Sequence, residues 1–193
     1  MARPKAFDPE QALDRAMELF RRKGYAATTT SDLTDEMQIG RGSLFSSFGT
    51  KDQIFFAALC RYQERSFGHL VASLDAARSP LQAIRSIFEA ITQEGRAERP
   101  FGCLMVNSTV ELAPHAPDVQ RYLARSWERL EEAFERAISR GQELHEISRR
   151  QTSRALARFL VTMLRGVGVG NKMRPDKDMW RDTLSVVFAA LEP

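Results

Sequence analysis

The sequence predicts an all-α fold: a compact three-helix head at the N-terminus, joined by a long helix to a larger helical bundle, about nine helices in all. Three observations carry this. Apolar residues recur three or four positions apart almost from end to end of the 193 residues, the spacing that lines one face of a helix. No segment alternates apolar and polar residues in the manner of a half-buried strand. The N-terminal segment also holds three successive helix-start signals, each with a capping residue followed three positions later by Asp or Gln.

The first helix is expected from Pro9 to Lys23. Asp8 suits the N-cap, Pro9 the first helical position, and Gln11 the reciprocal position of a capping box. Ala12, Leu13, Ala16, Met17 and Phe20 form its apolar stripe, and Gly24 stops it. Thr29 and Asp32 open a short second helix through Met37. A third runs from Arg41 to about Ser47. Thr50 and Gln53 then start a long fourth helix reaching about Leu74. Pro80 opens a fifth, to about Arg96, with Leu81, Ile84, Ile87, Phe88 and Ile91 facing inward. The stretch Arg99-Pro100-Phe101-Gly102 interrupts the chain before a short sixth helix through Leu112. After the connector Ala113–Pro117 comes a long seventh helix carrying Val119, Leu123, Trp127, Leu130, Phe134 and Ile138, with Gly141 at its end. The last two helices span about 151–169 and 176–191, joined by a loop containing Gly170, Asn171 and Pro175. The domain division is therefore 1–50 for the head, with the helix-turn-helix at about 29–48, and 51–193 for the body. No Gly/Ser-rich linker separates them, so the fourth helix couples the two.

Composition narrows the function classes. Hydrophobic residues make up 43% and charged residues 27%, an ordinary balance for a globular chain. No apolar run approaches the roughly 20 residues of a membrane helix, and the basic N-terminus lacks the apolar core of a secretory signal. A cytoplasmic protein associated with the nucleoid, with no membrane partner, is expected. The net charge of +3 permits nucleic-acid binding without arguing for it. Cys60 and Cys103 stand in no metal or redox pair. His69, His115 and His145 lack metal-ligand spacing. With no nucleophile–base pattern and no phosphate-binding glycine loop, no catalysis, metal or cofactor is expected.

The second and third helices are about two turns each, too short to persist alone in water. They hold only by burying Leu33, Met37, Ile39, Leu44 and Phe48 against the first helix. The turn between them, about Gln38 to Gly40, matches that of a helix-turn-helix. Burying Leu44 presents Arg41, Gly42, Ser43, Phe45, Ser46 and Ser47 outward, a small polar and aromatic set suited to close approach to a major groove. Thr29 at a helix N-terminus and Lys51 at the start of the fourth helix are placed to meet phosphates. Arg3 and Lys5 lie on an arm that could reach a neighbouring groove. The plainer alternative is a three-helix packing unit with no nucleic-acid role.

At these residues the sequence resembles the TetR/AcrR family of one-component regulators. The match is carried by Ala16-x-x-Leu19-Phe20, Gly24-Tyr25, Thr28-Thr29, Asp32-Leu33, Ile39-x-Arg41-Gly42-Ser43-Leu44-Phe45 and Phe48-x-x-Lys51-Asp52. The resemblance implies that Arg41, Gly42, Ser43, Phe45 and Ser46 meet DNA bases or backbone, with Thr29 and Lys51 on the backbone. The chain departs from the family pattern in Phe45, where Tyr is usual, in Ser46-Ser47, in Gln38, where Gly is favoured, and in Gly40, where Ser or Thr is. A left-handed Gln38 would cost roughly 1–2 kcal/mol.

The family also implies a homodimer through the last two helices. The residues agree: Leu156, Leu160, Leu164 and Val167 form one stripe, Trp180, Leu184, Val187, Phe188 and Leu191 another. Ala155, Phe159 and Met163 give the penultimate helix a second apolar face for a partner. Gly166 and Gly168 would let backbones come close. A small-molecule effector site is implied in the body, with Phe67, Phe88, Cys103, Met105, Trp127, Phe134 and Met163 as candidate lining. His69, Phe101 and Tyr122 are further candidates, and plain core is the alternative for each. Cys103, opening the sixth helix, invites a dipole-lowered thiol, against the plainer reading of an inert buried cysteine. The expected function is a ligand-responsive regulator, a repressor released from a palindromic operator on double-stranded DNA. A helical binding protein without DNA affinity and a helical-bundle enzyme remain the alternatives.

Overall fold

The computed structural model describes residues 7–94, 101–173 and 177–193. The Arg3 and Lys5 arm, the end of the fifth helix near Arg96, the Arg99-Pro100 break, and Pro175 and Asp176 lie outside the described residues. Among those described there are nine α-helices, one short 3-10 turn and no strand. The helices are α1 Pro9–Lys23, α2 Thr30–Met37, α3 Arg41–Phe48, α4 Lys51–Ala76, α5 Pro80–Glu94, α6 Leu104–Glu111, α7 Pro117–Glu143, α8 Ser153–Gly170 and α9 Lys177–Ala189, with the 3-10 turn at Asn171–Met173.

The helix starts follow local chemistry. Asp8 accepts the amide N–H of Glu10 at 2.9 Å, ahead of Pro9. Both threonine boxes form reciprocally, Thr29 with Asp32 and Thr50 with Gln53. Thr152 adds an unforeseen cap, accepting the N–H of Ala155 at 3.2 Å.

One helix end differs from expectation. Gly141 does not terminate α7, which continues to Glu143. The chain reverses instead at His145, in the left-handed region at φ 59°. Gly141 is buried where Ile147 folds back onto the helix, so close that a β-carbon would collide with the Ile147 side chain.

Leu123, Trp127, Leu130, Phe134 and Ile138 all bury along α7, which packs most extensively on α8 and α4. Helix α4 packs on α7 along its length and on α1 near its start. Arg61 and Arg65 of α4 both pair with Asp14 of α1, and Arg61 also reaches Glu10. The Arg61 hydrogen bonds hold the Asp14 carboxyl below its ordinary value, against the opposing effect of burial. Helix α4 also supplies Ile54 and Phe55 to the head's own core. Phe55 meets Phe20 edge-on at 5.1 Å and Tyr25 at 5.0 Å. Head and body therefore share a helix.

Candidate nucleic-acid interface

Helix α3 is held by a single fully buried side chain of its own, Leu44, with Ile39 buried just ahead of it. Arg41, Gly42, Ser43, Phe45 and Ser46 are exposed, and Ser47 is half-buried. Phe45 is 43% exposed and carries the Arg41 guanidinium over its ring at 5.7 Å. Arg41 has no carboxylate partner among the described residues. Gly42 faces open space. The Ser46 hydroxyl makes one long hydrogen bond, donating to the Ser43 carbonyl at 3.3 Å, and so remains available to a partner. The body covers none of this face.

The turn into α3 is strained. Gln38 takes the left-handed conformation at φ 57°, ψ 44°, where its side chain costs roughly 1–2 kcal/mol. Its amide donates to the Asp35 carbonyl at 3.3 Å. Gly40 occupies the N-cap of α3 with no side-chain hydrogen bond.

Thr29 is less available than its position suggests. Its hydroxyl and its amide N–H both donate to Asp32 Oδ2, each at 2.7 Å. Lys23 Nζ lies 2.5 Å from the same oxygen. These contacts depress the Asp32 carboxyl, with Lys23 the largest cause. The N-terminus of α2 thus already holds one anion of its own, partly neutralised by Lys23. Lys51 sits 4.2 Å above the Tyr25 ring, a cation–π contact that holds its ammonium at the head surface.

The head is also tied to the body. Glu111, the last residue of α6, accepts the backbone N–H groups of Tyr25 at 2.9 Å and Ala26 at 2.6 Å. Gly24 makes this possible, with φ 84° and only 3.2 Å from its would-be β-carbon to a Glu111 oxygen.

This geometry agrees with the comparisons with known proteins. The family model for bacterial regulatory proteins of the TetR family matches residues 12–58. A tetracyclin repressor-like C-terminal domain model matches 80–186. An uncharacterized HTH-type transcriptional regulator of Bacillus subtilis, YezE, is 34% identical over 194 residues, covering 100% of both chains. The chain belongs to the TetR family.

The Escherichia coli HTH-type transcriptional repressor ComR is 30% identical over 86% of this chain and 80% of its own. Among solved structures, a cysteine mutant of the TetR-family regulator CifR, in complex with 26-bp operator DNA, superposes with a TM-score of 0.86. It is 27% identical and covers 98% of this chain and 100% of that one. As a TetR-family protein the chain is a helix-turn-helix transcriptional regulator rather than an enzyme.

The body of this TetR-family chain contains a cavity of about 740 Å³, within the range of about 300–1,000 Å³ that small-molecule sites occupy. It opens between α4, α5, α8 and the start of α6. Phe67, Cys103 and Trp127 line it, as does His69. Phe88, Met105, Phe134 and Met163, expected with them, do not: the first three are fully buried core, with Phe88 and Phe134 packed ring to ring at 6.5 Å, and Met163 is half-buried against the core. Phe101 and Tyr122 also lie outside the lining. Sequence reasoning missed Arg21, Tyr62, Arg65 and Asn171. Trp127 Nε1 and Asn171 Oδ1 are buried with no hydrogen-bond partner among the described residues.

Of the two readings of Cys103, burial favours the plainer one, an inert cysteine. Cys103 does cap α6, and the Val106 and Met105 amides favour its thiolate, but burial among protein atoms outweighs them and pushes the thiol up. Burial likewise raises Cys60. Neither is an activated thiol.

The outer faces of α8 and α9 mix exposed apolar residues with charged ones such as Arg154, Arg158, Arg165, Arg181 and Asp182. Ala155, Phe159, Gly166 and Val169 are exposed along α8, Met179 and Val186 along α9, with Val186 at 68%. The stripe Leu156, Leu160, Leu164 and Val167 is buried within the monomer. So is the stripe Trp180, Leu184, Val187, Phe188 and Leu191. Gly166 is open, whereas Gly168 points inward, where Val106 and Cys103 of the α6 end lie against it.

Proposed function

We propose that this chain is a homodimeric repressor that binds a palindromic operator and is released from it by a small molecule. The observation that carries the DNA reading is the split character of α3: Leu44 anchors it, and the uncovered face is Arg41, Gly42, Ser43, Phe45 and Ser46, with a guanidinium that has no carboxylate partner among the described residues. One such helix offers few base contacts, each worth about 1–3 kcal/mol, so a second head at fixed spacing supplies the rest of the affinity. The exposed apolar strip on α8 and α9 supports the dimer. The body cavity supports an effector site. Residues 1–50 act as the DNA-binding head and 51–193 as the effector and dimerisation body, with the first turns of α4 serving both. Lys51 meets the phosphate backbone, and Thr29 joins it only by giving up part of its Asp32 contact. The protein works in the cytoplasm on chromosomal double-stranded DNA.

Selection of bound sequences from a random duplex pool tests this reading. The expected result is an inverted repeat bound with a steep salt dependence, as a dimer on gel filtration. Binding without sequence preference would overturn it.

A further inference from the structure

The body cavity has a pronounced charge bias. Two arginines, Arg21 and Arg65, line it together with His69, and among the described residues no carboxylate does. Arg21 comes from α1 of the head, yet its side chain is only 13% exposed. Among the described residues its carboxylate partner is Glu18, which takes Nε at 3.1 Å and Nη2 at 2.8 Å on one oxygen. Glu18 is 41% exposed, so water screens that countercharge. Nη1 of Arg21 makes no hydrogen bond among the described residues. A guanidinium so placed projects a positive potential into a low-dielectric space. Arg65 pairs with Asp14 on the solvent side, through Nη1 at 2.6 Å and Nη2 at 2.9 Å.

Phe67, Leu70, Ile87, Leu164 and Val167 give the cavity an apolar side, with the uncharged hydroxyl groups of Tyr62, Ser66, Ser73 and Ser86 also on its wall. Two lining residues also carry a polar atom buried almost entirely from the cavity's open space. Trp127 Nε1 needs an acceptor and Asn171 Oδ1 needs a donor, while the Asn171 amide group is fixed by donating to the Ile91 carbonyl at 2.9 Å.

Resting on the effector-site reading above, we propose that the cavity takes an amphipathic carboxylic acid. Its anionic end is gripped by Arg21, and its apolar body lies on Phe67, Ile87 and Leu164. A bidentate guanidinium–carboxylate pair supplies the anchor. Because Arg21 belongs to α1, the ligand competes with Glu18 and pulls directly on the DNA-binding head. A cationic ligand is disfavoured by the same two arginines.

The test is calorimetric titration of the full-length protein with naphthoate, hydroxynaphthoate and decanoate. Each is paired with its primary amide, and decylammonium represents the cations. Operator affinity is measured in parallel. The acids are expected to bind about tenfold more tightly than their amides, the size of one strong polar contact. They are also expected to weaken operator binding. Arg21→Gln abolishes the preference for acid while leaving amide binding, which also reports that the cavity is intact, and Arg21→Lys retains part of it. Equal affinity for acid and amide, tighter binding of the cation, or a preference that survives Arg21→Gln would each overturn the proposal. If amides or the cation release the operator and acids do so no better, only the ligand class is wrong. If no probe binds, or none shifts operator affinity, the effector-site reading fails with it.

Discussion

Glu111 and Tyr25, 86 residues apart in sequence, are joined by a hydrogen bond of 2.9 Å from the Tyr25 amide to the Glu111 carboxylate. The Tyr25 phenol in turn donates to Asp52 and lies under Lys51. Two side chains therefore link α6, whose other end borders the cavity, to the first residues of α4 beside the proposed DNA face. The Asp52 hydrogen bond is also the main reason the Tyr25 phenol is pushed up to about 12.

Glu111→Ala leaves two backbone N–H groups without their charged acceptor, hydrogen bonds worth about 1.5–3 kcal/mol each before water replaces them. Urea unfolding should show a net loss of about 1–3 kcal/mol. Operator affinity should fall further than for a mutation of similar stability cost buried in α7. Equal losses of affinity would remove the idea that α6 positions the head.

On the α3 face, Lys51→Ala should reduce the slope of log affinity against log salt by about one unit, as expected when one phosphate contact is lost, with sequence preference unchanged. Arg41→Ala should cost about 1–3 kcal/mol and relax preference at particular operator positions if it reads a base. Competition binding over a salt series separates the two.

Gln38→Gly should stabilise the protein by about 1 kcal/mol, because the left-handed backbone at φ 57° no longer carries a β-carbon. Only the greater freedom of glycine in the unfolded chain opposes the gain. Thermal melts of the two proteins decide the sign.

Asp32 connects pH to the head. Its folded carboxyl titrates below its ordinary value of 3.8, so its contribution is complete above that pH and is lost as acid protonates the folded state. Melting temperature should drop as pH falls below 3.8, and Asp32→Asn should flatten that part of the curve while lowering stability at neutral pH. A parallel acid limb in the variant would assign the loss to other carboxylates, Asp14 first.

Phe159→Asp and Val186→Asp each place a charge on the exposed apolar strip without touching the monomer core. Sedimentation should show the mass fall toward that of a single chain while helical content is kept. A dimer persisting in both variants would place the interface elsewhere.

The three helix starts near the N-terminus were legible because a cap is a contact within three residues, although Asp8 takes the Glu10 amide and forms no reciprocal box with Gln11. The split of α3 into buried Leu44 and an outward polar face was legible because helical spacing alone sorts those positions. The end of α7 was not, since it is set by Ile147 returning to Gly141 and not by the glycine's own propensity. The cavity was misjudged for a related reason. Aromatic and methionine residues such as Phe88, Met105 and Phe134 fill space, whereas this void borders on Ser66, Ser73, Ser86, Ala90 and Gly168, where side chains are too small to fill it.

Local spacing and hydrogen-bonding chemistry in the chain determined the helices, their order and the surface offered by α3, because each depends on residues within a turn or two of one another. Tertiary packing alone decided that Arg21 reaches the body cavity, that Gly168 faces inward and that Glu111 grips the head. These depend on which distant surfaces meet when the shared core closes, and one residue's neighbours in sequence carry no record of that.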